Sequence, residues 1–296
     1  MKMKILFIGS VEFSLRALEK IVEIGGNVVG VCTLRESAFN SDFCDLSQYS
    51  LKHNISFFYV DDINSDQTIN WISNINPDVI FCFGWSRLLN QKILSIPDIG
   101  VIGFHPAALP ANRGRHPIIW ALALGLRNTA STFYFMDSGA DSGDILSQIS
   151  IDISEFDDAR SLYDKIISTA LTQIENFLPL LSSGNYPKIK QDISKSNTWR
   201  RRNRKDGLID WRMSANSIHN TVRALTKPYI GAEFNYNNID YKLWKTELVL
   251  SIFDNIEPGK VIDITNLDLP IIKCGDYAII LVDTEPKLMI SKGMYL

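Results

Sequence analysis

Apolar runs alternate with helix-like patterns through the first part of the chain. Each run is continuously apolar, which is typical of strands covered on both faces. The runs lie at residues 3–9, 27–33, 55–60, 78–83 and 100–105. Between the first two, residues 12–24 place apolar side chains on one helical face. The alternation predicts right-handed βαβ units on a parallel sheet, a Rossmann-like α/β fold.

The pattern changes in the second half of the chain. Two further strands are predicted at 131–136 and 144–153, followed by a long amphipathic helix over 157–181. The run Gly184-Asn-Tyr-Pro187 breaks that helix, and short strands and turns dominate from residue 208 onward. We therefore expect an α/β domain over 1–183, a linker over 184–206 and a small β domain over 207–296.

Composition excludes several classes of protein. The hydrophobic fraction is 46% and the net charge is −3, so a general nucleic-acid binder is not expected. No apolar run approaches the roughly 20 residues of a membrane span, and the first run reads as a buried strand rather than a secretion signal. The four cysteines and four histidines are scattered, which predicts no metal site. A cytoplasmic protein without membrane contact is expected.

Ligands of a doubly wound sheet bind beyond the carboxyl ends of its strands. The most distinctive such end reads His105-Pro-Ala-Ala-Leu-Pro-Ala-Asn-Arg-Gly114. Two prolines stiffen this loop and can hold the histidine in one place for proton transfer or oxyanion stabilisation. A histidine that merely caps a strand fits the spacing equally well.

A second polar stretch reads Asp137-Ser-Gly-Ala-Asp141-Ser-Gly-Asp144, between two predicted strands. Asp and Gly are common in hairpin turns, and on the residues alone a turn is the favoured interpretation. The spacing is not that of an EF-hand calcium loop. In the functional interpretation, one carboxylate orients His105 and the glycine backbone approaches a ligand closely.

Together the two stretches resemble the formyltransferase family that uses 10-formyltetrahydrofolate. The shared order is a His-Pro…Leu-Pro-x-x-Arg-Gly loop, a helix containing Trp120, and then Asp-x-Gly-x-Asp-x-Gly. The resemblance extends to Arg204-Lys-Asp-Gly-Leu-Ile-Asp-Trp211 and so covers nearly the whole chain. It implies a Rossmann-like catalytic domain followed by an OB-like β domain.

The resemblance also implies roles for particular residues. His105 and Asp141 match the catalytic pair. The formyl-folate co-substrate is expected on the segment after the fourth strand and on the acidic loop, at Trp85, Arg87, Leu88, Leu89, Asp137, Gly139 and Ala140. The second substrate is expected near Ser10, Phe13, Asn40, Asp42, Asn112 and Arg113.

One position departs from the family pattern. The family's catalytic asparagine, two residues before the histidine, is Gly103 here. Losing one oxyanion donor costs about 3 kcal/mol where nothing replaces it. Asn112 and His116 are candidate replacements by sequence. A slow enzyme, a rewired site and a binding-only relative all stay open, and the intact His105 and Asp141 favour an active enzyme.

Charge separates the branches of the family. The tRNA enzymes resemble one another in a basic insertion after the second strand, whereas residues 34–43 carry no basic cluster. Residues 207–296 contain nine Lys and Arg against eleven Asp and Glu, and the one basic run, 200–205, lies in the predicted linker. Binding of several phosphates needs such a cluster.

We therefore expect N-formylation of a nucleotide-linked amino sugar, which the resemblance connects with surface polysaccharide synthesis. Methionyl-tRNA formyltransferase and a non-catalytic folate or sugar-nucleotide binding protein are the alternatives. A homodimer is common in the sugar branch and is expected on that resemblance alone.

Overall fold

The structure is a computed structural model that describes residues 2–37 and 41–296. Its strands are β1 Lys4–Ile8, β2 Asn27–Thr33, β3 Phe57–Tyr59, β4 Val79–Cys82, β5 Gly100–His105, β6 Arg113–Gly114, β7 Asn128–Phe135, β8 Ile145–Asp152, β9 Thr198–Trp199, β10 Ala232–Tyr236, β11 Ile239–Val249, β12 Val261–Ile264, β13 Pro270–Lys273 and β14 Ala278–Glu285. Its α-helices are α1 Glu12–Glu23, α2 Ser47–Lys52, α3 Asp66–Ile75, α4 Gln91–Leu94, α5 Pro117–Ala123, α6 Ala159–Ser183 and α7 Ala215–Leu225.

The larger sheet has the order β3-β2-β1-β4-β5-β7-β8. The first five strands in this order are parallel, whereas β7 runs antiparallel to β5. The predicted fold class, a Rossmann-like α/β domain followed by a β domain, is confirmed, and the sheet is mixed rather than wholly parallel. The connection from β5 to β7 contains the short strand β6 and the helix α5.

The central parallel strands β1 and β4 are covered on both faces, as their continuous apolarity predicts. Alternate residues such as Leu6, Ile8 and Cys82 pack against residues of α3 and α4. The residues between them form an aromatic layer on the other face. Its ring pairs include Phe7–Phe83, Phe81–Phe83, Phe83–Phe133 and Phe133–Phe177.

The second sheet is antiparallel, with the order β10-β11-β14-β13-β12. On β10 and β11, Phe234 and Tyr241 lie directly opposite and their rings stack at 5.2 Å. Trp211 contacts Phe234 edge-on at 5.5 Å between ring centroids. Such aromatic pairs stabilise a small β domain beyond the area they bury.

Contacts divide the chain into two compact units, and neither is continuous in sequence. The first consists of Met1–Pro117, Thr129–Ile151 and Asp164–Trp199, and the second of Ile118–Asn128, Asp152–Tyr163 and Arg200–Leu296. Residues of the predicted linker therefore belong to the first unit up to Trp199 and to the second unit from Arg200. The division at 184–206 stays a prediction. Among the helices of the described residues, none is long and apolar enough to cross a membrane.

Candidate active site

Three neighbouring strands bring the polar residues of the first unit together. In the register of the sheet, Gly103 of β5 lies beside Cys82 of β4 on one side and opposite Tyr134 of β7 on the other. The segment after β4 and the loop after β5 begin at the same edge, because both strands run in the same direction. His105, two residues beyond Gly103, is the last residue of β5.

The hydrogen bonds of His105 determine which ring nitrogen is open to chemistry. The side chain is buried, and Nε2 donates a 2.7 Å hydrogen bond to the backbone carbonyl of Asn112. A carbonyl oxygen has no hydrogen to donate, so this bond requires the proton on Nε2. In the neutral ring Nδ1 then carries the lone pair, and it faces Oδ2 of Asp141 at 3.7 Å. Nδ1 is therefore the atom that can take up a proton.

Asp141 is held so that its carboxylate faces the imidazole. Oδ1 accepts a 2.8 Å hydrogen bond from the Tyr134 hydroxyl, and Oδ2 accepts one of 2.9 Å from the Gly114 amide. One donor on each oxygen suits an ionised carboxylate. The Asp141 backbone has φ of +55°, in the left-handed region that Asp tolerates better than most residues. The side chain is thus fixed by its backbone and by two donors.

Gly114 reaches Asp141 because it has no side chain. Its φ is +101°, and a Cβ there would lie 2.3 Å from the carbonyl oxygen of Trp199. The two-residue strands β6 and β9 pair in parallel at this point, with Gly114 opposite Trp199. The close approach of the two backbones directs the Gly114 amide toward the carboxylate.

Gln191 connects the loop after β5 with the turn that carries Asp141. Its Oε1 accepts a 2.6 Å hydrogen bond from Arg113, and its Nε2 donates to the carbonyl oxygens of Asp141 and Gly143 at 3.0 and 2.7 Å. Gln191 was not among the predicted site residues, because it lies in the predicted linker. Only the fold reveals the contact, since the partners are 48 and 50 residues apart.

Tyr134 was also missed, because the sequence shows only an aromatic residue within a strand. Its side chain is buried and its hydroxyl donates to Asp141. Burial, and then the neighbouring Asp141 carboxylate, raise the pKa of Tyr134 well above its ordinary range. The phenol therefore stays protonated and remains a hydrogen-bond donor.

The segment expected to hold the folate follows β4 directly. Trp85 packs on the apolar cluster that contains Leu89, and its Nε1 is buried with no hydrogen-bond partner within the described ranges. Arg87 donates from Nη1 to the carbonyl of Asp61 at 2.5 Å, and Leu88 is exposed. The segment thus combines a buried indole donor that no described residue uses with an exposed apolar side chain.

Met136 connects this segment with the His105 site. It packs on the cluster that includes Trp85 and also on a second cluster formed by Leu109, Tyr134 and Ile145. The two parts of the site therefore share one apolar side chain.

The carboxylates of Asp137 and Asp141 in the acidic turn have different roles. Residues 137–140 are exposed, and Asp137 Oδ1 accepts hydrogen bonds from the Gly139 amide and the Ser142 hydroxyl at 2.9 and 2.7 Å. Asp137 thereby closes its own turn, leaving the Gly139–Ala140 backbone at the surface. Asp141, at the end of the turn, is the carboxylate that faces His105.

The residues expected near the second substrate differ in exposure. Ser10 and Phe13 are 1% and 3% exposed, and the Phe13 ring packs 4.3 Å from that of Phe104. Both side chains are buried, and the expectation that the second substrate lies near these residues stays a prediction. The Asp42 carbonyl accepts a hydrogen bond from the first residue of α1 at 2.9 Å. Asn40 lies outside the described residues.

Asn112 and Arg113 lie beside the catalytic histidine candidate. The backbone carbonyl of Asn112 accepts a hydrogen bond from His105, and its backbone N–H donates to Asn197 Oδ1 at 2.7 Å. A carbonyl is an acceptor, so this contact does not supply the donor absent at Gly103. Arg113 Nε is buried and has no hydrogen-bond partner among the described residues.

The remaining reactive groups are the cysteines and any clustered metal ligands. Residues 2–37 and 41–296 contain no group of three His, Cys, Asp or Glu side chains placed to hold a metal. The four cysteines are unbridged, and burial raises the pKa of Cys82 and Cys274 to about 12. These thiols are poor nucleophiles at neutral pH.

Two family profiles match the sequence that forms these two units. The formyl transferase profile matches residues 4–174, and that of the formyl transferase C-terminal domain matches residues 202–291. The chain belongs to the formyl transferase family. The first match contains His105, Tyr134 and Asp141 of this formyl transferase, whereas Gln191 lies between the two matched regions.

Similar proteins include formyl transferases of different specificity. The bifunctional polymyxin resistance protein ArnA of Wigglesworthia glossinidia brevipalpis is 34% identical over 92% of this chain, which spans only 41% of that relative's length. The methionyl-tRNA formyltransferase of Caldanaerobacter subterraneus is 31% identical over 96% of this chain and 92% of its own. The solved structure of WlaRD, a sugar 3N-formyl transferase with dTDP and 5-N-formyl-THF, has a TM-score of 0.72 at 20% identity, covering 97% of this chain and 100% of its own.

Proposed function

We propose that this formyl transferase moves the formyl group of 10-formyltetrahydrofolate onto the amine of a nucleotide-linked amino sugar. The observation that carries the proposal is the pairing of His105 Nδ1 with Asp141 Oδ2 at 3.7 Å, at the carboxyl edge of the sheet. N-formylation needs a base that takes a proton from the attacking amine. Nδ1 is available for it, since Nε2 is committed to Asn112.

In the proposed reaction the neutral amine attacks the formyl carbon, forming a new C–N bond. His105 Nδ1 receives the proton that the amine loses, and Asp141 lies close enough to balance the positive charge on the ring. The bond between the formyl carbon and N10 of the folate then breaks. The proton passes from Nδ1 to N10, so tetrahydrofolate leaves and the histidine returns to its neutral form. Binding both substrates together contributes a large part of the rate.

Formyl-folate as the donor is supported by the segment after β4 and by the comparisons. The Trp85 indole N–H has no acceptor among the described residues, and Leu88, three residues later, is exposed. These groups suit the edge and the face of a pterin ring. WlaRD, which shares the fold, was solved with 5-N-formyl-THF. On the acidic loop, the exposed Gly139–Ala140 backbone is proposed to border the same ligand.

The amino-sugar acceptor is supported by the ion pairs that the basic run 200–205 makes within the protein. Arg200 pairs with Asp206, and Arg204 pairs with Glu233 and Asp240 at 2.5 and 2.6 Å. Cations already paired with carboxylates are less available to nucleic-acid phosphates. Two arginines of the run, Arg200 and Arg204, therefore have their charge already balanced within the protein.

Trp120 engages two of these arginines further. Its indole N–H donates to the Arg200 carbonyl at 3.0 Å, and the guanidinium groups of Arg200 and Arg202 lie 5.3 and 4.9 Å from its ring centroid. Arg202 is also largely buried and donates to the Asp206 carbonyl. The basic run thus has a structural role within the second unit, which favours a small acceptor.

The full-length match to a methionyl-tRNA formyltransferase favours tRNA as the alternative acceptor. The two acceptors are separated by one assay. Purified protein is incubated with 10-formyltetrahydrofolate and either a panel of nucleotide-linked 3- and 4-amino sugars or methionyl-tRNA, and tetrahydrofolate release is followed. Release with an amino sugar supports the proposal, whereas release with tRNA alone overturns it. Folate binding without turnover of any amine would establish the non-catalytic alternative.

Assembly as a homodimer also belongs to the proposal, because it is expected only from the resemblance to the sugar branch. Sedimentation velocity at micromolar protein distinguishes a species of 33.5 kDa from one of twice that mass. A monomer at all concentrations would remove the dimer without affecting the acceptor.

A further inference from the structure

Gly103 and Tyr134 are directly opposite on β5 and β7. A side chain at position 103 would need space that the Tyr134 ring occupies. A Cβ at position 103 would lie 2.9 Å from Cζ of Tyr134 and 2.8 Å from Cγ of Met136. Packed carbon atoms normally stay about 3.5–4.0 Å apart. The end of the Tyr134 ring thus occupies the volume that any side chain at 103 would need.

The Tyr134 hydroxyl uses that position to reach Asp141. It donates to Oδ1 at 2.8 Å, while the Gly114 amide occupies Oδ2. Without the hydroxyl, Oδ1 would have no protein donor among the described contacts, and the carboxylate could rotate about its side-chain bond. The distance from Oδ2 to His105 Nδ1 depends on that rotation.

We propose that Tyr134 is a positioning residue for formyl transfer, anchoring the Asp141 carboxylate against His105 from the space left open by Gly103. The proposal rests on the proposed function, since formyl transfer gives the His105–Asp141 pair its role. The absence of a side chain at Gly103 is then required, because it gives the Tyr134 ring its space. The two residues act as a unit, because the ring reaches Asp141 only where position 103 has no Cβ.

Removal of the hydroxyl alone is the first test. Tyr134→Phe keeps the ring that fills the space beside Gly103, so the fold is preserved. We expect kcat to fall about 10- to 100-fold with KM for the folate changed less than about threefold, because the hydroxyl orients Asp141 without contacting a substrate. Tyr59→Phe is the matched control. Tyr59 also donates to a carboxylate, that of Asp45 at 3.0 Å, and should leave kcat unchanged.

A double-mutant cycle is the second test. Gly103→Ala in the natural chain forces the Tyr134 ring aside and should lower kcat at least about tenfold. In a Tyr134→Ala background the ring is gone and only the flexible Met136 side chain, 2.8 Å from the added Cβ, has to move, so the same change should lower kcat far less. Such non-additivity identifies the two residues as one unit. Additive losses would overturn the coupling, as would a Gly103→Ala variant with unchanged kcat.

The outcomes separate this proposal from the proposed function. If the natural protein releases no tetrahydrofolate with any amine, the proposed function is rejected, and the positioning role that rests on it is rejected as well. If it is active and Tyr134→Phe retains full kcat, the positioning role is wrong while the function stands. If Tyr134→Ala fails to fold, Tyr134→Phe and Gly103→Ala still decide, with circular dichroism and Tm to show that both are folded.

Discussion

Gln191 donates a 3.0 Å hydrogen bond from its side-chain amide to the backbone carbonyl of Asp141, 50 residues earlier in the chain. The same nitrogen donates to Gly143, and the amide oxygen accepts from Arg113. One buried side chain therefore fixes the turn that carries Asp141 and the loop that follows His105. Its contribution to catalysis is indirect, through the position of the Asp141 backbone.

Gln191→Leu should lower both stability and turnover. The change leaves three polar groups without their partner, and each buried unpaired group costs about 1–3 kcal/mol. We expect Tm to fall by several degrees and kcat by about tenfold. Gln173→Leu is the control, because Gln173 is a buried glutamine that donates to Ser131 and Ser147. It should lower Tm similarly but leave kcat near its natural value. Equal kcat in the two variants would contradict a role for Gln191 at the site.

His105→Ala should lower kcat by about 10²–10⁴-fold, because it removes the proposed base. Asp141→Asn should have a comparable effect. An amide presents a donor on one of its two sides, so it cannot accept from both Tyr134 and Gly114. Steady-state tetrahydrofolate release measures both losses. His219→Gln in the second unit, where His219 contacts Thr246 at 2.9 Å, is the control. Near-natural turnover of either site variant would reject the assigned pair.

Gly114→Ala should disrupt the contact between β6 and β9. The added Cβ would collide with Trp199, and left-handed backbone costs a side chain about 1–2 kcal/mol in addition. We expect a loss of more than about 2 kcal/mol in the free energy of unfolding, measured in urea, and a reduced kcat as the amide leaves Asp141. Gly184→Ala is matched for backbone, with φ of +74°, but its Cβ would meet nothing within 4 Å. It should show the conformational cost alone.

The Arg200–Asp206 pair should make stability depend on pH in the acidic range. Hydrogen bonding from Arg200 is the main cause that holds the pKa of Asp206 well below its ordinary value. A carboxyl whose pKa is lower in the folded state stabilises the fold above its unfolded pKa of about 3.9, and this contribution is lost as pH falls. Asp206→Asn should therefore lower Tm at pH 7, with the difference from the natural chain shrinking below about pH 4. A difference independent of pH would argue against the ion pair.

The sequence predicted the parts of the fold that depend on local pattern. The buried parallel strands ending at Ile8, Cys82 and His105 are visible as continuous apolar runs. The antiparallel direction of β7 could not be predicted in this way. The direction of a strand depends on its connection to the strand before it and does not change its hydrophobic pattern.

The candidate site divides in the same way. Two motifs and the resemblance were enough to predict that His105 and Asp141 lie together, and their side chains are 3.7 Å apart. Tyr134 and Gln191 carry no such signal. One reads as a core aromatic and the other as a linker residue, and their hydrogen bonds exist only once distant segments have packed.

The left-handed backbone of Asp141, with φ of +55°, narrows what evolution or design can install there. Most side chains lose about 1–2 kcal/mol in this conformation, while glycine, asparagine and aspartate accept it most readily. Glutamate, which could supply a similar carboxylate, would begin with that penalty. A lineage that lost the carboxylate would thus drift to glycine or asparagine first, and reversion to aspartate would be its shortest route back to activity.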